Sequence, residues 1–376
     1  MKNSSFIFAG ALALFAVACT NAPKSQFTLN GEVEGLDGQE VYLYVNNHID
    51  TTVIENGKFT FTDTLSHETV AAILVGEQSY ENRNHVAQFF ISPSEMTITL
   101  PTDSFPGFTL VGSPAEDLNK QLIDEQAALT AQAMDLRMQM AQADPAKADS
   151  LEKEMEGISQ KLENIMFDFI KANPDSYVAA HYSRFAAGRA PYEKLKELYE
   201  CFSPRIKQSS ELSDLRTEIA ALEKVQPGSP APNIKKKDIN GNEFDMSALK
   251  GKVIILDFWA SWCGPCRKSN PHVKALYDKY HAKGLEVVMV SDDDSNESAW
   301  LKAVADDKLE AFHHVLRGLK RNPEGSAEPF DKSEDVSAMY AIHFLPTKYL
   351  IDSNFNIIGK VSDEEMDAKL KEIFGE

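Results

Sequence analysis

Three patterns of apolar and polar residues succeed one another along the chain, and each predicts a different kind of element. Between Phe27 and Val111 the apolar residues alternate with polar ones in short runs: Phe27-Thr28-Leu29, Val41-Tyr42-Leu43-Tyr44-Val45, Lys58-Phe59-Thr60-Phe61 and Met96-Thr97-Ile98-Thr99-Leu100. A period of two lays successive side chains on opposite faces, so these runs predict half-buried strands. Asn56-Gly57, between Thr51-Thr52-Val53-Ile54 and Lys58-Phe59, is a hairpin signal, because both residues tolerate the left-handed backbone of a tight turn. Residues 27–112 are therefore expected to form an all-β domain, a small sandwich or barrel. His48, His67 and His85 are too scattered along it to read as metal ligands, and surface or turn positions are expected for all three.

From Ser113 the period becomes helical. Ser113-Pro114-Ala115-Glu116 reads as a cap, with Pro at the first helical position and an acid at the third. Leu151, Met155, Ile158, Leu162, Ile165 and Phe169 recur at four-three spacing, and Leu118, Leu122, Leu129, Leu136 and Met140 approximate it before the break at Asp144-Pro145. This predicts an antiparallel helical hairpin. Shorter helices are expected after Asn173-Pro174, after Ala190-Pro191 with Leu195, Leu198 and Phe202, and through Leu212, Leu215, Ile219 and Leu222. The central α-helical region thus covers 113–225. Its Met-bearing stripe reads as packing, and Cys201 as a buried apolar side chain.

Residues 226–232, Gln-Pro-Gly-Ser-Pro-Ala-Pro, form a linker by composition. Beyond it the apolar runs are unbroken. Val253-Ile254-Ile255-Leu256 predicts a strand buried on both faces, and Leu285 to Val290 a second. A helix is expected around Ala299 to Val304, and a loop over Gly318 to Lys332 that lines a substrate groove. Residues 233–376 therefore read as an α/β domain.

The candidate chemistry sits where the first buried strand gives way to a helix, at Trp262-Cys263-Gly264-Pro265-Cys266. Cys263 falls at the helix N-terminus, where unpaired N–H groups and the partial positive charge favour a thiolate over a thiol. Cys266, one turn on, can attack a mixed disulfide made by Cys263. Pro265 costs little there, since a first-turn N–H has no helical partner. Asp257 stands inside Val-Ile-Ile-Leu-Asp-Phe-Trp, where an acid is costly to bury. Trp259 and Trp262 are expected to wall the site.

Together with Asp257, Pro271 and Leu345-Pro346-Thr347 ahead of the strand Lys348–Asp352, this motif resembles the thioredoxin superfamily. The match is to its tethered, periplasmic TlpA and ResA kind, over Pro230 to Phe374. The resemblance implies a thioredoxin fold with Cys263 and Cys266 as a redox-active disulfide and Asp257 assisting deprotonation of the second thiol. It also implies substrate contacts through Trp262, Gly264, Pro265, Leu345 and Pro346, with Pro346 in the cis form. Residues 27–112 resemble the DUF4369 domain found ahead of thioredoxin-like domains in Bacteroidetes lipoproteins.

Composition changes the picture in two places. A formal charge of −19 argues against nucleic acid and against electrostatic docking on anionic lipid. Lys2, the apolar stretch Phe6 to Val17 and Ala16-Val17-Ala18-Cys19 resemble a lipoprotein leader over 1–18, with Cys19 lipidated and 19–26 a tether. An ordinary secretory signal cut near Ala18 is the alternative.

The expectation is a multidomain envelope protein: an N-terminal all-β domain, a central α-helical region and a C-terminal α/β thioredoxin fold. Its expected function is thiol-disulfide oxidoreductase, reducing disulfide-bearing envelope proteins and recharged by a membrane thiol electron donor. It is expected to be held to the membrane by its lipid anchor, facing the periplasm, with no cofactor and no metal. Two readings compete. One is a non-enzymatic binding protein acting through the N-terminal half. The other is a thiol peroxidase of the same fold, although the Pro-x-x-x-Thr-x-x-Cys context of such enzymes is absent around Cys263.

Overall fold

The computed structural model describes residues 25–376 except 47, 77–84, 103, 325, 327 and 328, so the leader and Cys19 lie outside the described residues. The chain forms two compact units, residues 1–165 and 166–376.

Among the described residues of the first unit eight strands form two sheets. They are β1 (Ser25–Val33), β2 (Glu40–Val45), β3 (His48–Val53), β4 (Lys58–Leu65), β5 (Thr69–Val75), β6 (Val86–Ile91), β7 (Glu95–Leu100) and β8 (Thr109–Val111). Their orders are β4-β1-β7-β8 and β3-β2-β5-β6. The inward residues of both sheets, among them Leu29 and Ile98 from one and Val41 and Ile73 from the other, share one buried cluster, which makes the unit a sandwich. Asn56 and Gly57 both take positive φ, 53° and 74°, as a tight turn requires. The expected hairpin does not follow, however. Apart from a single bridge between Glu55 and Lys58, β3 pairs with β2 and β4 with β1, so the turn is a corner between sheets.

Two helices follow, α1 (Pro114–Met140) and α2 (Pro145–Ala172), the latter running on into the second unit. Ser113 Oγ accepts the Glu116 N–H at 3.3 Å, as the cap motif predicts. Leu136 of α1 packs with Leu151 and Ile158 of α2, which is the helical hairpin expected from their spacing.

The second unit continues with α3 (Tyr177–Ser183), α4 (Tyr192–Cys201), α5 (Pro204–Lys207) and α6 (Ser213–Glu223). Cys201 is half-buried rather than enclosed; its thiol donates to the Leu198 carbonyl at 2.9 Å, and burial raises its pKa. After the short pair β9 (Lys235–Lys237) and β10 (Glu243–Asp245) come β11 (Val253–Trp259), α7 (Gly264–Tyr280), β12 (Leu285–Ser291), α8 (Glu297–Asp306) and β13 (His313–Leu316). The stretch expected as a loop contains a small antiparallel pair, β14 (Lys320–Arg321) and β15 (Phe330–Asp331). Then come α9 (Val336–Met339), β16 (Thr347–Ile351), β17 (Ile357–Val361) and α10 (Asp363–Phe374).

The main sheet has the order β13-β12-β11-β16-β17, with β11 at its centre, parallel to β12 and antiparallel to β16. Every β11 residue is buried, which is why its sequence is apolar at every position but Asp257. Val253, Ile255 and Trp259 face a core shared with α7, α8 and α10. Ile254, Leu256 and Phe258 face the opposite core, with Val336, Tyr340 and Ile342. By this alternation Asp257 points to the α7 side, the side of the two thiols. Among the described residues no helix is long and apolar enough to cross a membrane.

Candidate functional site

Cys263 and Cys266 are joined by a disulfide with their Cα atoms 5.3 Å apart. Cys263 is the N-cap of α7, and its sulfur accepts the backbone N–H of Cys266 at 3.2 Å. Both cysteines are buried, at 5% and 2% exposure, while Gly264 and Pro265 in the first turn and Trp262 beside it are exposed. Trp259 does not wall the site. It is fully enclosed in the core beneath the cysteines, because it shares the inward parity of Ile255, whereas Trp262 lies past the strand end in the turn.

The turn carrying Trp262 is held from below. Buried Asp293 accepts the Ser261 N–H at 2.7 Å, the Ser261 hydroxyl at 2.6 Å and the Ser291 hydroxyl at 2.5 Å. The Trp262 indole N–H donates to the Asp292 carbonyl at 3.3 Å. Arg267 grips Asp307 with two of its nitrogens, and Asn270 donates to the same carboxylate. The Leu345–Pro346 peptide bond is cis, the form the resemblance implies. Leu345 packs against the core cluster that contains both cysteines.

Asp257 is 2% exposed, and one of its carboxylate oxygens, Oδ1, has no hydrogen-bond partner among the described residues. Burial pushes its pKa up to about 7 although Lys348 pulls the other way, with Asp363 adding to the rise. Lys348 is the residue directly across the antiparallel ladder from Asp257. It is 4% exposed, with its Nζ 3.9 Å from Asp257 Oδ2, 3.1 Å from Asp363 Oδ1 and 2.9 Å from Ser269 Oγ.

The structure thus brings Cys263, Cys266, Asp257, Leu345 and Pro346 to one end of the central strand, with Trp262, Gly264 and Pro265 exposed beside them. Lys348 and Asp293 escaped the sequence reading. Lys348 carries the signal that drew notice to Asp257, a charge inside an apolar strand. Asp293 carries none, since an acid after a strand is ordinary in a loop.

In the first unit His48, Asp50 and Asp63 offer ligand atoms within 4.8 Å of one another. Spacing along the chain could not show this, because Asp63 lies on a strand of the other sheet.

A disulfide of two cysteines three apart, at the N-terminus of the helix that follows a central strand and beside a cis-prolyl loop, defines a thioredoxin-fold thiol-disulfide oxidoreductase. Comparison with known proteins narrows this. Residues 227–360 match the AhpC/TSA family and residues 27–119 the domain of unknown function DUF4369. The chain is 33% identical over 158 residues to thiol-disulfide oxidoreductase ResA of Bacillus thuringiensis (strain Al Hakam), covering 41% of this chain and 82% of that protein. It is 30% identical over 143 residues to ResA of Bacillus subtilis (strain 168), covering 38% and 71%. The chain belongs to the ResA family of thiol-disulfide oxidoreductases. Among solved structures, the thioredoxin domain of a thiol-disulfide oxidoreductase from Bacteroides vulgatus is 29% identical, with a TM-score of 0.34, covering 40% of this chain and 98% of that one.

Proposed function

We propose that this oxidoreductase works in the cell envelope as a reductase of partner-protein disulfides, tethered through a lipidated Cys19. The Cys263 thiolate attacks one sulfur of the partner's disulfide; that S–S bond breaks, and a mixed disulfide forms while the partner's other sulfur leaves as a thiolate. Asp257 takes the proton of Cys266, and the resulting thiolate attacks the Cys263 sulfur. The mixed disulfide breaks and the partner's second sulfur leaves as a thiolate; the proton held by Asp257 and one from solvent complete the partner dithiol, two electrons richer, and the Cys263–Cys266 disulfide remains. A membrane thiol donor then restores the dithiol. Trp262, Gly264, Pro265 and the Leu345–Pro346 backbone form the surface that meets the partner chain.

The observation that carries this reading is the N-cap geometry. The Cys263 sulfur receives a backbone N–H at the positive end of a helix, which favours its anionic form. The direction of electron flow rests on Gly264-Pro265, the dipeptide of thioredoxin itself.

The test is the reduction potential of the pair, read from Trp262 fluorescence in thiol redox buffers. A value near thioredoxin's, about −270 mV, supports reduction; one near about −120 mV, as in the oxidant DsbA, reverses the direction. Cys263→Ser should abolish activity. Full retention of function in the cell by that variant would favour a binding protein acting through the N-terminal half.

A further inference from the structure

Asp257 and Lys348 form a buried pair of opposite charge on adjacent strands, and the charges are shared unevenly. Lys348 Nζ touches Ser269 Oγ at 2.9 Å and Asp363 Oδ1 at 3.1 Å, while Asp257 stands off at 3.9 Å. Ser269 passes the interaction on, its hydroxyl donating to Asp363 Oδ2 at 2.6 Å. The lysine is therefore anchored to the start of α10, away from the acid it faces across the ladder. Asp363 is half-exposed and lines a surface cleft with Pro346, Lys348, Lys360 and Glu365. The first of these is the cis-proline, whose neighbour Leu345 packs against the core cluster of the two cysteines.

We propose that Lys348 is a positioning residue for the thiol chemistry: anchored by Ser269 and Asp363, its ammonium is the counter-charge that sets the pH range in which Asp257 can take the proton of Cys266. This rests on the reading of Asp257 as the base for the resolving thiol. An opposite charge close to a carboxyl favours its ionised form, and a like charge disfavours it. Desolvation alone would hold Asp257 protonated and useless as a base over most of the neutral range. A cation at 3.9 Å opposes that, and Asp363 limits how strongly by holding the cation back and adding a second negative charge.

Among the described residues few groups face Asp257. From α7 come the Cys263–Cys266 pair, uncharged Ser269, and His272, whose Nε2 is held by Asp367 at 3.1 Å and whose Nδ1 lies 3.9 Å from Asp363. From β16 comes Lys348, and from the start of α10 comes Asp363. The next residues across the sheet, Met289 on β12 and Val361 on β17, carry no charge.

The experiment is the pH dependence of mixed-disulfide resolution, followed by stopped-flow Trp262 fluorescence between pH 5 and 9 in purified protein reacting with a disulfide-bonded peptide. Lys348→Met should raise the midpoint by about one pH unit, the low end of the effect of a lost opposite charge. Asp363→Asn should lower it, because one negative charge is gone and Lys348 is free to approach Asp257. In an Asp257→Asn background neither change should move the profile. An unmoved midpoint in Lys348→Met, or shifts of the same sign in both variants, overturns the proposal. Should Lys348→Met fail to fold, Asp363→Asn decides alone, and an unchanged or raised midpoint overturns it. If Asp257→Asn itself keeps the wild-type profile, then the assignment of Asp257 as base fails and takes this inference with it. A normal Asp257→Asn effect with an inert Lys348→Met sinks the inference only.

Discussion

Asp257 is the residue whose chemistry is most altered by its place in the fold. A carboxyl pushed up to about 7 by burial is a poor anion in neutral solution, and Lys348 only partly relieves it. The folded value lies above the unfolded one of about 3.9, so its contribution to stability is fully present below pH 4 and is lost as pH rises through about 7. The wild-type protein should therefore lose stability relative to Asp257→Asn between those limits, by an amount on the order of a few kcal/mol. Urea unfolding of both proteins at pH 4 and pH 8 measures this. An equal gap at the two pH values would mean that Asp257 titrates no differently in the folded chain. The position of this acid was legible in the sequence because a charge interrupts an apolar run. Its partner Lys348 carries the same kind of signal in Thr-Lys-Tyr-Leu-Ile, but the register that sets the two side by side exists only in the sheet.

The strand-to-helix turn is the element that makes two cysteines into a reactive pair. β11 is positioned by burial on both faces, and α7 begins where Cys263 caps it, so both parts follow from local sequence. What holds the turn between them is not local. Asp293, from the loop after β12, accepts three hydrogen bonds beneath Ser261, and no feature of its own sequence context announces that. Asp293→Ala would strand those donors in a buried pocket, and each unsatisfied group costs about 1–3 kcal/mol. A loss of roughly 3 kcal/mol is expected in denaturant unfolding, together with faster alkylation of the reduced Cys263 as the turn loosens. A change under half a kcal/mol would show that the turn is held by α7 alone. The Asn56-Gly57 corner makes the converse point. Its turn chemistry was readable, yet the sheets its flanking strands join were chosen by long-range pairing.

Across the second unit, α6, which lies ahead of the thioredoxin fold, reaches the segment that leads into the cis-proline. His343 Nε2 lies 2.9 Å from both carboxylate oxygens of Glu218 on α6, and Phe344, Leu345 and Pro346 follow His343 directly. Gly188 makes room, since a Cβ there would come within 3.0 Å of the His343 ring. The cis-prolyl loop is thus braced by a segment outside the residues that carry the family motif. Glu218→Ala should raise KM for a disulfide-bearing protein several-fold, as loss of about 1 kcal/mol of bracing implies, with kcat and the reduction potential kept. Steady-state kinetics separates the two parameters, and an unchanged KM would reduce the contact to packing.

The redox pair, its place at a helix N-terminus, the buried central strand and the change from strands to helices at Ser113 were all written in local sequence. Each depends on neighbours a few residues away: a cap, a spacing of three, a period of two or of four and three. The Lys348 counter-charge, the Asp293 anchor on Ser261, the Glu218 brace and the pairing of β4 with β1 join residues 26 to 125 positions apart and could be decided only by the tertiary structure. A buried charge or hydrogen bond is worth its energy only once the partner has been brought to it, and sequence distance carries no record of that approach.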